Sequence, residues 1–532
     1  MSIDAGRRRR RAGLLLPLFS CPSRASWGIG EFTDVPVVAA WMRRAGFSVL
    51  QVLPLNELLP GQHSPYSAVS SMALDPIFIS LPHVPEFIAN GGEAGLEAAE
   101  RTALDDVRSR RHVALDAVRE IKTAALRRAF DRFAREEYPR GTPRARDFER
   151  FVDEQRWWLD DYALFRAIHD AHGLRSWLDW PAALRGRSPG ALAEARRAHE
   201  ADRRYRQYLQ WIAHRQWQAA RAEAEGVAVF GDFPFAVAVD SADTWAHQDL
   251  FAFDGTIGAP PDAFSEDGQN WKLPVYRWEV LAARSYDWFA RRARRAAALF
   301  DGYRIDHVVG LFRMWVFPTD GSAPHFRPEA EGDQVTQGRA VLRAIAAMGG
   351  EIVAEDLGTV PDFVRAELRN LGMPGFKVLR WERVWDAPGR PFLDPAAYAP
   401  VAVATTGTHD TDTLMEWWDA SPLADRQALL EVPSIRRRVG DISPGSVPFA
   451  AVHQAILDAM YGSGADLLVL PVQDVFGWPD RINVPGIVDD HNWTWKLPWP
   501  VDDMARQPEA IAGAAAARAL AACYDRLPTT TT

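Results

Sequence analysis

Eight short apolar runs recur along the chain, and several break off in polar side chains at their carboxyl ends. They are Gly13 to Phe19, Gly46 to Leu55, Gly226 to Phe235, Asp301 to Gly310, Glu351 to Gly358, Pro374 to Trp381, Val401 to Asp410 and Ala465 to Asp474. Helical patterns such as Ala282 to Phe300 and Pro361 to Gly372 stand between several of them. Strands that alternate with helices bury their apolar faces in a parallel sheet. The expected fold class is therefore α/β, a (β/α)8 TIM barrel with long βα loops over one face.

Three of these runs deliver acidic residues. DGYRIDHVVG (301–310) carries Arg304, Asp306 and His307, EIVAEDLG (351–358) carries Glu355, and VAVATTGTHD (401–410) closes on His409 and Asp410. Alternation along a strand puts Arg304 and Asp306 on one face. A guanidinium beside Asp306 favours its ionised form, and the expectation is a depressed pKa suited to a nucleophile. An isolated Arg-x-Asp is more often a structural ion pair. Here two further carboxylates reach the same end of the barrel, where catalytic side chains collect. One ionised and one protonated carboxyl flanking a bond are the equipment of glycoside cleavage, and the third is free to hold sugar hydroxyls.

Composition excludes other classes. A net charge of −9 over 532 residues gives no basic field for nucleic acid or an anionic membrane. Cys21 and Cys523 are the only cysteines, too few for a disulfide framework and consistent with a reducing, cytoplasmic setting. The start, RRRRR followed by AGLLLPLFSC, has the ingredients of an export signal. Its apolar part is short, interrupted by Pro17, and reads equally well as the first barrel strand. No other apolar run is long enough to span a bilayer. Gly28 and Gly30 suggest a dinucleotide loop, but Thr33 stands where a third glycine belongs and no phosphate-binding loop occurs. No cofactor is expected.

The organisation expected is a basic tail over 1–12, a first part of the barrel over 13–84 and a mainly helical insertion over 85–217. The remainder of the barrel follows over 218–527, with a substrate loop at 255–278 and a frayed tail at 528–532. In the insertion, Leu115, Val118, Ile121, Leu126, Phe130 and Phe133 recur at helical spacing, as do Trp158, Tyr162, Phe165 and Ile168; both stripes read as packing faces. His169 and His172 form an HxxH without a further ligand nearby, so an ordinary surface pair is expected and no metal. Tyr66, in the Gly- and Ser-rich loop after the second strand, is a candidate sugar platform. Gln269 and Trp271, in the Gly- and Pro-rich stretch at 255–278, are candidates to grip a polysaccharide. Asp232 ends the third strand.

The combination LLLPLFS…WGIGEF, SPYSAVSSMALDP, WLDDYALFRAI, GDFPFAVAVDSADTW, APPDAFSEDGQNW, YRIDH, AEDLG, TGTHDTDT and PGIVDDHNWTWKLP resembles glycoside hydrolase family 77 of the alpha-amylase clan. The matches are collinear from about Gly13 to Pro498. The resemblance implies retaining transfer of alpha-1,4-glucan segments from malto-oligosaccharides, starch or glycogen-type chains to an acceptor glucan or glucose. By motif, Asp306 would be the nucleophile, Glu355 the general acid and base, and Asp410 the holder of donor hydroxyls. Arg304 would orient Asp306, and His409 would bind the same sugar. Tyr66, Asp232, Gln269, Trp271, His307 and Asn492 join the substrate-binding set. Four positions depart from the family pattern: Val308 for an aromatic residue, Thr411 for Asn, Lys272 for Gly and Phe376 for Met. None removes a carboxylate. The alternatives are a hydrolytic clan relative sharing all three acids, and an inactive glucan-binding protein, against which the intact trio argues.

Overall fold

The computed structural model describes residues 9–261, 268–440, 447–487, 489 and 491–528. Most of the expected basic tail, the tail from 529 onward and the centre of the motif at 259–271 lie outside the described residues.

The described residues form twelve strands: β1 (Arg11–Leu15), β2 (Val49–Gln51), β3 (Ala228–Phe233), β4 (Phe251–Ala259), β5 (Gln269–Tyr276), β6 (Gly302–Ile305), β7 (Met314–Pro318), β8 (His325–Arg327), β9 (Glu351–Ala354), β10 (Gly375–Val378), β11 (Ala402–Thr405) and β12 (Leu467–Pro471). Eight of them close a parallel barrel in the order β1-β2-β3-β6-β9-β10-β11-β12. Their residues are buried almost without exception, as strands covered on both faces require. The first strand begins earlier than the sequence suggests. Its opening residue, Arg11, donates its backbone N–H to Asp466 O (2.7 Å) and pairs through its side chain with Glu351 at the start of β9. Leu18 and Phe19, expected in that strand, lie instead in a 3-10 turn, Leu18–Ser20.

Between β2 and β3 the chain is helical, with long helices Leu115–Arg132, Pro143–Ala171 and Glu200–Glu223. Thr142 caps the second of these by accepting the Ala145 N–H at 3.2 Å, and Pro143 fits its first turn, where no N–H bond is needed. The two apolar stripes face inward, Ile121 alone being half-buried. His169 departs from the surface reading: it is fully buried, stacked on Phe165 and 3.3 Å from Asp240. Its helix face looks inward, toward Trp180 and Trp245 around Phe165.

The described residues of 255–278 are mostly paired strand, not loop. β4 and β5 run antiparallel in a separate sheet of order β5-β4-β7-β8. Gly255, Gly258 and Pro274 sit at register shifts, which is why composition alone reads as a loop. Gly28 and Gly30 serve close packing: a Cβ on Gly30 would stand 1.9 Å from Leu18 O, and Gly28 has φ +75°. Among the described residues no helix is long and apolar enough to cross a membrane, and no group of three His, Cys, Asp or Glu side chains could hold a metal.

Candidate active site

Asp306 and Glu355 each stand one residue beyond a barrel strand, on backbone that continues the ladder. The Asp306 N–H donates to Phe233 O (3.0 Å) and the Glu355 N–H to Ile305 O (2.9 Å). The chain then turns sharply at His307, whose φ of +42° is uncommon for a residue with a side chain. That turn aims the His307 N–H at Glu355 Oε2 (2.6 Å), while the Leu357 N–H reaches Oε1 (3.3 Å). The neighbouring Asp356 points away and accepts the Phe376 N–H at 2.7 Å, stitching β9 to β10. One of two adjacent acids is thus a site residue and the other a strand tie.

Arg304 is the hub. Barrel register sets it beside Asp232. Its Nη1 donates to both oxygens of that carboxylate, at 2.9 and 2.7 Å. Its Nη2 donates to Asp306 Oδ1 at 2.8 Å and stands 3.6 Å from Glu355 Oε2. Sharing one nitrogen, those two oxygens can be no farther apart than about 6.4 Å. Retaining glycosidases hold their carboxyls about 5–5.5 Å apart and inverting ones about 6.5–9.5 Å. The arrangement fits the retaining class.

Electrostatics corrects one sequence expectation. Burial lifts the Asp306 carboxyl to about 6, against the opposing pull of Arg304. Arg304 cannot depress it below the ordinary carboxylate range, because its charge is divided with Asp232, a partner distant in sequence. Burial also raises Glu355, opposed by Arg304 and by the amides of His307 and Leu357. Burial pushes the His307 imidazole down to about 4, leaving it neutral.

Asp410 arrives differently. β11 ends at Thr405, so Asp410 sits on the loop beyond, not on the strand end itself. That loop is held by Thr411, whose Oγ1 accepts the Thr408 N–H (2.9 Å). It is held again by Arg481, which donates to Asp410 O (2.9 Å) and pairs with Asp412. Asn483 Nδ2 donates to Asp410 Oδ1 at 2.6 Å, and His409 Nε2 lies 3.2 Å from Oδ2. Burial opposes ionisation of Asp410, yet His409 and Asn483 hold its carboxyl down to about 2. His409 in turn is raised by Asp410 in spite of its own burial.

Tyr66 closes the ring of contacts. Its hydroxyl donates to Asp232 Oδ2 (2.6 Å) and lies 3.0 Å from His409 Nε2, and its ring stacks on that imidazole at 5.6 Å. Trp493 packs against both, 6.0 Å from Tyr66 and 5.8 Å from His409. The side chains of Asp306, Glu355 and Asp410 are 21, 12 and 43 % exposed, whereas that of Asp232 is 1 % exposed. The trio is open to a ligand, and Asp232 is sealed behind it as the anchor of Arg304 and Tyr66.

Trp271 meets His307 edge to face at 5.0 Å and donates from Nε1 to Gln269 Oε1 (3.2 Å), so these two residues border the site from β5. Asn492 does not join it. Its amide is consumed by Val484 and Ile487, holding the loop that carries Asn483 and Trp493. Asn483 is the amide that meets a carboxylate. Of the four departures, Val308 and Phe376 are buried and Thr411 is locked in its turn. Lys272 has φ +56°, which explains why glycine suits that position.

Residues 16–502 match the family model described as 4-alpha-glucanotransferase, glycoside hydrolase family 77. A 4-alpha-glucanotransferase of Thermus thermophilus is 35% identical over 506 residues, covering 92% of this chain and 95% of that protein. One from Chlamydia pneumoniae is 31% identical over 506 residues, covering 93% and 92%. Among solved structures, the amylomaltase of Streptococcus agalactiae in complex with acarbose superposes with a TM-score of 0.80 at 23% identity, covering 97% of this chain and all of that one.

Proposed function

Given that the chain belongs to the 4-alpha-glucanotransferases of glycoside hydrolase family 77, an enzyme family that transfers alpha-1,4-glucan segments, we propose that Asp306 is its nucleophile, Glu355 its general acid and base, and Asp410 the carboxylate that grips the donor sugar. Asp306 attacks the anomeric carbon while Glu355 gives its proton to the departing glycosidic oxygen. Glu355 then takes the proton from the 4-hydroxyl of an acceptor glucan, which displaces Asp306 and restores the original configuration. The observation that supports this reading is the pair of distances from one Arg304 nitrogen to Asp306 and Glu355, which keeps those two oxygens closer than the separation typical of inverting enzymes.

The donors are malto-oligosaccharides or starch- and glycogen-type chains, and glucose or a shorter glucan is the acceptor. The free thiols of Cys21 and Cys523 fit a reducing, cytoplasmic setting. Asp232 acts as a positioning residue through Arg304, not as a sugar contact. The test is incubation with maltotriose alone. Glucose together with a ladder of longer oligosaccharides supports transfer, whereas glucose and maltose without longer products turns the assignment to hydrolysis.

Two further outcomes are expected. Asp306 must be ionised and Glu355 protonated in the free enzyme. kcat/KM is therefore expected to fall on the acid side as Asp306, raised by burial, takes up a proton and on the alkaline side as the raised Glu355 loses its own. Both limbs belong to the interacting pair. Asp410, held at about 2, stays ionised throughout. An acid limb near the ordinary carboxylate value would refute this electrostatic picture. Trp271→Ala removes an aromatic wall beside His307, and kcat/KM for maltotriose is expected to drop roughly ten-fold, on the order of 1 to 2 kcal/mol. An unchanged KM for donor and acceptor would remove Trp271 from the binding surface.

A further inference from the structure

Behind the Tyr66 and Asp232 wall, the helix Asp287–Leu299 turns two arginines inward, one turn apart. Arg292 and Arg295 are 3 and 2 % exposed. Arg292 donates from Nη1 to Phe235 O (3.1 Å) and from Nη2 to Pro234 O. Arg295 donates from Nε to Met72 O (2.9 Å) and lies 4.7 Å over the Trp158 ring. Arg292 Nε and Arg295 Nη2 have no hydrogen-bond partner among the described residues. Neither guanidinium forms an ion pair with a carboxylate among those residues.

Both arginines line a cavity of about 40 Å³, together with Asn56, Tyr66, Asp232 and Asp243. That volume admits a water or an ion of similar size and is too small for a sugar ring. Asp232 is committed to Arg304 and Tyr66, so Asp243 is the lining carboxylate left to face two guanidiniums. Asp243 itself accepts the Ser71 N–H at 2.6 Å. A buried cation without a counter-charge is costly, and a water would meet its hydrogen bond but not its charge. Burial pulls the Arg295 guanidinium down to about 9, which still leaves it cationic at neutral pH.

We propose that this cavity is a binding site for a small monovalent anion of chloride size, held chiefly by Arg295 with Arg292 beside it, on the core side of the Asp232 and Tyr66 contacts. The site does not depend on the catalytic assignment and is tested without turnover.

Thermal unfolding of the full chain is followed in increasing sodium chloride and in sodium gluconate at equal ionic strength, and crystals are soaked in bromide for anomalous diffraction. Expected are a saturable, chloride-specific rise in Tm on the order of 1 to 2 °C and a bromide peak within hydrogen-bond reach of Arg295 Nη2. Arg295→Met keeps most of the side-chain volume and should abolish both. Equal curves in the two salts with no peak in the cavity mean that water alone occupies it, and overturn the proposal. A peak without a chloride-specific shift is binding at crystal concentration only, and overturns it too. Should Arg295→Met fail to fold, the wild-type salt comparison and bromide map decide.

Discussion

Asp306→Ala is expected to lower glucan transfer from maltotriose by about 10⁴-fold or more, the scale of losing a nucleophile whose attack defines the first chemical step. The fold should survive. Asp306 accepts one bond from Arg304 Nη2, and that guanidinium keeps its two bonds to Asp232 when the carboxylate is gone. No buried charge is stranded, so Tm should move little. The role, as distinct from the importance, is read with azide and an activated alpha-glucosyl fluoride donor. The truncated side chain leaves room for azide on the face from which Asp306 would attack, and the product is a glucosyl azide of inverted configuration. Transfer retained near the wild-type rate, or an azide product of retained configuration, would take the nucleophile role from Asp306.

Arg304, Asp306 and Glu355 were legible because each lies on or just past a strand, where local pattern announces both the element and its end, whereas Asp410 and Tyr66 lie farther along the loops that follow β11 and β2. Asn483 and Trp493 were not legible. They lie on a loop without period, Arg481 to Trp493, and reach Asp410, Tyr66 and His409 only through the closure of the barrel. The DDHNW motif drew attention to Asn492, an amide spent inside the same loop. A motif marks the loop, and only packing says which of its amides points outward. The Asp306 pKa failed for a related reason. RxD shows the adjacent guanidinium but not the burial that raises the carboxyl, nor the Asp232 that shares that guanidinium from the neighbouring strand β3. The β4 and β5 pairing was hidden because Gly and Pro, ordinarily turn formers, sit at its irregular positions. Strand identity there is set by the partner strand, as expected where pairing and packing outweigh local preference.

Glu355→Ala should be the second large loss, again about 10³-fold or more with maltotriose, but with a signature opposite to that of Asp306→Ala. A natural glucan needs its leaving oxygen protonated, so the first step fails. A fluoride leaving group needs no proton, and with alpha-glucosyl fluoride Asp306 can still attack and form the glycosyl-enzyme. That intermediate then waits, because the acceptor hydroxyl has lost its base. Azide, which brings no proton to remove, should take the glucosyl group from Asp306 and give a product of retained configuration. The substitution also strips a partner from the His307 and Leu357 N–H groups, at a cost of about 1 to 3 kcal/mol in stability. A lowered Tm is therefore expected and must be separated from activity by assaying well below it. The pH profile supplies an independent reading: with Glu355 gone, the alkaline limb of kcat/KM should vanish from the residual turnover of maltotriose, while an acid limb from Asp306 ionisation persists. An alkaline limb that survives Glu355→Ala would assign the acid and base role to another group.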